Sequence, residues 1–87
     1  MDWVVYVLRC GKDDSLYCGV TNNLPKRLAA HQSGKGAKYT RGRGPLAVVA
    51  IWPQPDKGSA LRAEYAFKKL SRPQKENLIA GVTKPTG

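Results

Sequence analysis

The beginning of the chain alternates apolar runs with turn residues in a pattern typical of a β-hairpin. Residues 3–9 (WVVYVLR) are largely β-branched and aromatic, residues 11–15 (GKDDS) have the composition of a turn, and residues 16–20 (LYCGV) resume strand composition. Apolar side chains occupy both odd and even positions of the first run, so both of its faces must be covered. We therefore predict a central strand with helices packed around it.

A short helix is predicted directly after this hairpin. Asn22 or Asn23 can cap a helix over residues 24–32, and Pro25 suits its first turn. Gly34 then ends the helical pattern. The expected buried side of the helix consists of Leu24, Leu28 and Ala29.

The middle of the chain predicts a loop, a third strand and a second helix. Residues 34–44 (GKGAKYTRGRG) are glycine-rich and basic, and residues 45–52 (PLAVVAIW) have strand composition. Ser59 can cap a helix over residues 60–70. The apolar contacts of this helix are expected from Leu61, Ala63, Ala66, Phe67 and Leu70.

A third helix and a short tail complete the predicted order. Ser71 is followed three residues later by Gln74, which is the form of a capping box, and the helix that it opens ends at Gly81. Residues 1–81 are thus predicted to form one domain and residues 82–87 a C-terminal tail. The order strand, strand, helix, strand, helix, helix predicts an α/β chain of the α+β type, with a three-stranded, mainly antiparallel sheet flanked by helices.

The charge of the chain indicates a partner rich in phosphate. Fifteen Lys and Arg against six Asp and Glu give the 87 residues a formal charge of +9, which attracts polyanions. Solubility or an anionic membrane surface would also explain the excess. The basic residues are, however, spread through the folded part of the chain rather than concentrated in a tail, so we expect nucleic acid as the partner.

A cytoplasmic monomer without a membrane partner is expected. No apolar run approaches the roughly 18 residues of a membrane span, and the N-terminal residues have no basic leader of a secretory signal. Strand pairing across the turn sets Cys18 opposite about Val7, so no disulfide with Cys10 is expected. With a single histidine, the two cysteines offer no familiar zinc pattern, and we interpret both as small packed hydrophobes.

Glu64 is the only acidic residue between Asp56 and Glu76, and it lies in a strongly cationic chain. Magnesium keeps several waters and often takes only one or two carboxylates from protein, so a single glutamate can hold it. The alternative is an exposed ion pair with Lys68, four residues later, worth about 0.3–0.5 kcal/mol. The residues alone leave both interpretations open.

Arg27 and His31 are four residues apart on the first predicted helix and therefore share one face. Arg27 can present a planar fork to phosphate oxygens, and His31 can accept a proton near neutral pH. Tyr6 and Tyr17 lie on the hairpin strands, where a phenol acts as a base only if metal or cations lower its pKa. Solvated surface positions for the arginine and histidine, and strand packing for the tyrosines, are the ordinary alternatives.

The loop over residues 34–44 interleaves cations with one aromatic residue. Its candidate nucleic-acid contacts are Lys35, Lys38, Tyr39, Arg41 and Arg43. Cations follow a phosphate backbone and a tyrosine can stack on a base, which suits single-stranded or distorted substrates, whereas a flexible solvated loop is the alternative. A second basic group either extends this track or covers helices with solvated charge, and it consists of Arg62, Lys68, Lys69, Arg72 and Lys75.

Taken together, these residues resemble the GIY-YIG nuclease superfamily, and most closely its small, single-domain bacterial branch. Residues 4–6 (VVY) and 17–19 (YCG) match its two tripeptides. The stretches LYCGVTNNLPKRLAAH, GKGAKYTRGR and ALRAEYAFKKLSRPQKENLI extend the resemblance over about residues 3–79. Two departures occur: Val4 replaces the first glycine of the first tripeptide, and Cys18 replaces the isoleucine of the second.

The resemblance implies metal-dependent hydrolysis of phosphodiester bonds. The catalytic set that it assigns by matching position is Tyr6, Tyr17, Arg27, His31 and Glu64. Within that set it implies Glu64 as the ligand of Mg²⁺ or Mn²⁺ and leaves the general base open among the two tyrosines and the histidine. Gly19 matches the last motif glycine, and Asn77 is the nearest candidate for a late asparagine that supports the site and contacts nucleic acid.

The expected function is that of an endonuclease, with DNA favoured over RNA. Single-stranded or branched DNA is favoured over plain duplex because the chain has no separate duplex-reading module. A nonenzymatic nucleic-acid-binding module on the same fold is the competing hypothesis, and RNA binding fits the charge equally well. The presence of all five catalytic residues argues against the binding module, since a chain relieved of catalysis is free to lose some of them.

Overall fold

A computed structural model describes residues 3–33 and 45–81. The elements follow the predicted order, and they are β1 (Trp3–Cys10), β2 (Ser15–Thr21), α1 (Leu24–Gln32), β3 (Leu46–Gln54), α2 (Lys57–Lys68) and α3 (Arg72–Ala80). Outside the described residues lie the tail over residues 82–87 and the loop residues Lys35, Lys38, Tyr39, Arg41 and Arg43. The roles expected of those residues therefore stay predictions.

The three strands form one antiparallel sheet in the order β2-β1-β3, which confirms the predicted central position of the first strand. Val7 pairs with Cys18 as predicted, and both cysteines are free and buried. In the hairpin turn, Asp13 Oδ1 accepts hydrogen bonds from the backbone nitrogen and the hydroxyl of Ser15, at 3.1 and 2.7 Å. Asp14 adopts a φ of 60°, a left-handed conformation that aspartate tolerates in turns.

Both faces of β1 are covered, as its apolar side chains predict. The apolar core lies on the side of α2 and consists of Val5, Val7, Cys18, Ala60 and Phe67. Tyr6 is fully buried as well, but it alternates with Val5 and Val7 along the strand and so points to the opposite face, towards α1. The sheet therefore separates an apolar core from a face that carries polar side chains.

Helix α1 has the predicted bounds, but the prediction of its buried side is wrong for Ala29 and did not include His31. Asn23 is the cap, and its side chain accepts a hydrogen bond from a backbone nitrogen of the first turn at 3.3 Å. The buried residue is His31, only 2% exposed, whereas Ala29 is exposed and Leu24 and Leu28 are half-buried. The helix buries a histidine because the strand residue beneath it offers a hydroxyl rather than an apolar surface.

Helix α2 begins earlier than predicted. Asp56 is its cap, since the carboxylate accepts a hydrogen bond from the backbone nitrogen of Ser59 at 2.7 Å, and Ser59 lies inside the helix. The carboxylate satisfies a donor of the first turn and is favoured at the positive end of the helix dipole. The helix ends at Lys68, and its apolar side is narrower than predicted because Leu61 and Ala66 are exposed.

Helix α3 has the predicted capping box. Ser71 Oγ accepts from the backbone nitrogen of Gln74 at 3.3 Å, and Gln74 Oε1 accepts from the backbone nitrogen of Ser71 at 3.0 Å. Gly81 ends the helix with a φ of 74°, where a side chain would be strained. Within the described residues, no helix is long and apolar enough to cross a membrane.

A charged network joins α3 to the hairpin. Glu76 accepts hydrogen bonds from the Arg9 guanidinium at 2.7 and 3.0 Å and from Arg72 at 2.7 Å. The same two arginines contact Asp14 in the turn, at 3.1 and 3.2 Å. Hydrogen bonds from Arg9, and then from Arg72, lower the pKa of Glu76 to about 2.

Acid is expected to weaken this network in a defined range of pH. The pKa of Glu76 is about 2 in the folded chain against an ordinary 4.5. Its ionised form therefore contributes fully to the free energy of unfolding above about pH 4.5, and this contribution is lost as the pH falls towards 2. Thermal unfolding between about pH 6 and pH 2 measures this effect. Glu76→Gln is expected to have a lower Tm than the unsubstituted chain at pH 6, and its Tm is expected to fall by less as the pH is lowered. Parallel curves for the two proteins would contradict this role for Glu76.

Candidate active site

The hydroxyl of Tyr6 lies at the centre of a polar cluster between the sheet and α1. It is 2.9 Å from His31 Nε2, and it accepts a hydrogen bond from Arg27 Nε at 3.3 Å. Because the phenol oxygen accepts the hydrogen bond from Arg27, the hydroxyl of Tyr6 can donate its own hydrogen bond to a neutral His31. The prediction that Arg27 and His31 share a face of the helix is confirmed by their common contact with this hydroxyl.

Tyr17 completes the cluster from the neighbouring strand. Its ring centroid is 5.2 Å from that of His31 and 6.3 Å from that of Tyr6. Its side chain also interacts with Arg27 and helps to raise the pKa of the guanidinium. The strand pairing explains this meeting, since Tyr17 stands opposite Leu8, two residues from Tyr6 on the same face of the sheet.

Gly19 is the residue directly opposite Tyr6 in the hairpin. A Cβ atom at this position would lie 2.6 Å from the Tyr6 hydroxyl oxygen and 2.8 Å from its Cζ. The phenol therefore occupies the space that any other side chain would need. Matching to a family motif identified this glycine, but only the structure gives the physical reason for it.

Burial and charge set the protonation of the cluster. Burial raises the pKa of Tyr6, and the hydrogen bond from Arg27 opposes this only in part. Burial, and then the positive charge of Arg27, lowers the pKa of His31. The hydrogen bond to Tyr6 is the largest cause that raises the pKa of Arg27. At neutral pH the cluster therefore contains a protonated phenol, a neutral imidazole and a guanidinium cation.

The neutral state of His31 predicts a loss of stability in mild acid. The pKa of His31 is lowered from its ordinary 6.5 in the folded chain. Neutral His31 therefore contributes fully to the free energy of unfolding above about pH 6.5, and this contribution is lost as the pH falls through the pKa of the folded chain. The Tm is expected to fall between about pH 7 and pH 5, and less so for His31→Gln, which cannot take up that proton. An equally steep fall in His31→Gln would show that other groups cause it.

Glu64 lies on α2, the helix that covers the opposite face of the sheet. Its side chain is 20% exposed, and Lys68 Nζ lies 3.2 Å from its carboxylate, so the ion pair considered from the sequence does form. Burial raises the pKa of the Cys18 thiol to about 12, and the negative charge of Glu64 adds to that shift. Glu64 is thus close to the edge strand β2, at the residue that follows Tyr17.

Comparison with known proteins decides the family of this chain. Residues 2–77 match the family model described as the GIY-YIG catalytic domain. The chain belongs to the GIY-YIG family. The family implies nuclease activity, and with it a nucleic-acid substrate, and the match confirms the resemblance noted from the two tripeptides.

Curated relatives of similar length agree with this assignment. The UPF0213 protein BH0048 of Halalkalibacterium halodurans is 52% identical over 80 residues, covering 92% of this chain and 84% of that protein. The UPF0213 protein YhbQ of Escherichia coli is 47% identical over 78 residues, covering 90% of this chain and 77% of that protein. The chain therefore groups with small GIY-YIG proteins from bacteria.

Solved structures confirm the fold class. The solution structure of the UPF0213 protein BH0048 from Bacillus halodurans matches with a TM-score of 0.62 at 50% identity, over 98% of this chain and 89% of that one. The solution structure of EF2693 from E. faecalis matches with a TM-score of 0.65 at 33% identity, over 100% of this chain and 93% of that one. The predicted α+β architecture is shared with these two solved structures.

The carboxylate of Glu64 fits a metal site in which most ligands are water or substrate oxygens. Residues 3–33 and 45–81 contain no cluster of three or more His, Cys, Asp and Glu side chains, so this part of the chain has no closed, all-protein site. A partly exposed single carboxylate fits Mg²⁺ or Mn²⁺, which keep most of their waters and take further oxygens from phosphate. Such an ion would replace the ammonium of Lys68 at this carboxylate.

Asn77 is not grouped with the tyrosine cluster by the described contacts. It is exposed on α3 and lines a shallow pocket with Leu70, Gln74 and Leu78. The asparagine was placed from the resemblance alone, and its role in the site stays a prediction. The described residues that the structure brings into mutual contact are Tyr6, Tyr17, Arg27 and His31.

Proposed function

We propose that this GIY-YIG protein is an endonuclease that depends on a divalent metal ion and hydrolyses phosphodiester bonds in DNA, in single-stranded or branched regions. One observation carries the proposal: the guanidinium of Arg27 donates a hydrogen bond to the hydroxyl of one motif tyrosine, Tyr6, at 3.3 Å, and the ring of the other, Tyr17, lies 6.3 Å from that of Tyr6. That arrangement fixes a cation beside a phenol at a position reached from solvent, which is what a scissile phosphate requires.

Burial divides the four clustered residues into two roles. Tyr17 and Arg27 are half-buried, so they can contact a substrate, whereas Tyr6 is 0% and His31 is 2% exposed. We assign Arg27 to the charge of the phosphate and Tyr17 to the attacking water. Tyr6 and His31 act as positioning residues, because the chain Arg27–Tyr6–His31 holds the guanidinium in place and takes up small shifts of the phenol proton.

Glu64 is the residue we assign to the metal ion. When bound there, Mg²⁺ or Mn²⁺ would supply positive charge towards a phosphate oxygen and towards water. The carboxylate lies on the other face of the sheet from Arg27, but close to Cys18 on the edge strand β2, next to Tyr17. We propose that one substrate passes around this edge, with its phosphate at Arg27 and the ion at Glu64. The lone carboxylate is consistent with a phosphate completing the ligand set.

The remaining features of the proposal come from charge and size. The formal charge of +9 attracts a polyanion without selecting DNA over RNA. We propose single-stranded or branched DNA as the preferred substrate, which a comparison of substrates tests directly. We further propose that residues 1–81 act as one monomeric nuclease domain in the cytoplasm, with residues 82–87 as a tail.

The direct test is cleavage of labelled single-stranded, branched and duplex DNA, and of RNA, with Mg²⁺, with Mn²⁺ or with a chelator. Cutting that needs the ion, and that is absent from Glu64→Gln purified in the same way, would support the nuclease. The preferred substrate would identify its class. Binding of these nucleic acids without cutting under any condition would overturn the proposal in favour of a nonenzymatic binding module.

A further inference from the structure

The outward side of α2 carries an aromatic ring among cations. Tyr65 is 63% exposed, and Leu61, one turn before it, is 43% exposed. Arg62 and Lys69 lie three positions before and four positions after Tyr65, so both are its neighbours on the helix surface, and both are exposed. The ring of Tyr65 is thus exposed between two cationic side chains of the same helix.

Lys69 already contacts this ring. Its ammonium lies 4.5 Å from the ring centroid of Tyr65, which is the geometry of a cation–π interaction. Because the tyrosine stays 63% exposed with that lysine in place, its ring still has surface to offer a ligand. The lysine also supplies a positive charge directly beside any group that stacks there.

The position of Tyr65 along α2 relates it to the proposed site. It follows Glu64 in the chain, and successive residues of a helix differ by about 100° around the axis. Glu64 is 20% exposed at the side of β2, while Tyr65 faces solvent. A strand of nucleic acid that passed the Glu64 carboxylate would therefore be one helix position away from the exposed ring of Tyr65.

We propose that Tyr65 stacks on a base of a single-stranded segment of the substrate, with Lys69 and Arg62 contacting the phosphates on either side. The inference rests on the proposed function, because it assumes that the substrate passes Glu64. Aromatic residues interleaved with cations are the means by which proteins bind single strands without reading their sequence. The surface would give the enzyme a preference for unpaired bases, which duplex DNA keeps stacked on one another.

Binding in the presence of a chelator tests the stacking separately from cleavage. The probes are a labelled thymidine oligonucleotide and an abasic oligonucleotide of the same length and charge, measured by fluorescence anisotropy. Tyr65→Ala is expected to weaken binding of the thymidine oligonucleotide by about tenfold or more and to leave the abasic one unchanged. Tyr65→Phe, which keeps the ring, is expected to bind both as the unsubstituted chain does.

Salt dependence separates the ring from the charges. Lys69→Gln is expected to reduce the slope of log affinity against log salt by about 0.7, as for the loss of one phosphate contact on a single strand, whereas Tyr65→Ala leaves the slope unchanged. Lys12→Gln removes a charge from the exposed hairpin turn and is expected to change neither slope nor affinity. Circular dichroism shows whether each variant is folded.

The outcomes distinguish this inference from the nuclease proposal. If the unsubstituted chain cuts DNA but Tyr65→Ala binds the thymidine oligonucleotide as tightly, the stacking is overturned and the nuclease stands. If Tyr65→Ala weakens both oligonucleotides equally, the ring contributes no stacking and the inference also fails. If binding depends on the ring but no substrate is ever cut, the stacking stands and the nuclease fails.

Discussion

Replacing Glu64 by glutamine is expected to lower the rate of metal-dependent DNA cleavage by about 10³-fold or more. Glutamine keeps the size and the oxygen of the side chain but loses the negative charge, which hard divalent cations need when the protein offers them a single carboxylate. A metal ion supplies several kcal/mol of charge stabilisation in the transition state, and each 1.36 kcal/mol corresponds to about tenfold in rate. Single-turnover cleavage at increasing Mg²⁺ and Mn²⁺ measures the loss.

Lys68→Gln is the matched control for this substitution. It removes the partner of the ion pair, whose atoms lie 3.2 Å apart, and leaves the carboxylate in place. Since the lysine side chain is 55% exposed, the pair itself is worth little, and cleavage is expected to stay within a few-fold of the unsubstituted rate. Equal losses in Glu64→Gln and Lys68→Gln would mean that Glu64 serves only as an ion-pair partner.

Gly19→Ala is expected to damage both the fold and the activity. The new methyl group would lie 2.6 Å from the Tyr6 hydroxyl, and the ring cannot move away freely because Tyr6 is fully buried. Overpacking of this kind costs about 1–3 kcal/mol of the free energy of unfolding. Displacing the phenol also releases Arg27 and His31, and a misplacement of about 1 Å in a catalytic group can reduce the rate about 10²-fold. Thermal unfolding and single-turnover cleavage measure the two effects.

Two further variants test the stated cause. Gly58→Ala places the same methyl group at the start of α2, where its nearest neighbours are at 3.4 and 3.5 Å, so no loss is expected. Adding Tyr6→Phe to Gly19→Ala removes the closest contact but leaves Cζ at 2.8 Å, so the two stability losses should be less than additive. Unchanged stability and cleavage in Gly19→Ala would contradict the clash.

Local patterns predicted the elements wherever the determining residues are close in sequence. The capping box of α3 was predicted correctly because Ser71 and Gln74 satisfy each other's backbone within one turn. The start of α2 was predicted incorrectly, because Asp56 and Ser59 are both acceptable caps and the sequence does not say which of them accepts the hydrogen bond. The hairpin register followed from the turn between two strand-like runs, and Val7 does stand opposite Cys18.

The candidate site was predictable as a set of residues but not as an arrangement. Tyr6, Tyr17, Arg27 and His31 were named from motif positions, and their chemistry alone left each with an ordinary surface or packing role. Only the fold shows that one phenol hydroxyl joins His31 and Arg27, at 2.9 and 3.3 Å. It is also the fold that buries Tyr6 and His31 and leaves Tyr17 and Arg27 within reach of solvent.

The sequence by itself determined the order of strands and helices, the central position of β1, the basic character and the residues that match the family. These properties depend on composition, periodicity and neighbours a few positions apart. The tertiary structure alone decided that α2 covers the face opposite the tyrosine cluster, that His31 is buried, and that the ring of Tyr6 needs a glycine beside it. The reason is that burial, and the pKa values that depend on it, arise from contacts between residues far apart in the chain, which no local pattern records.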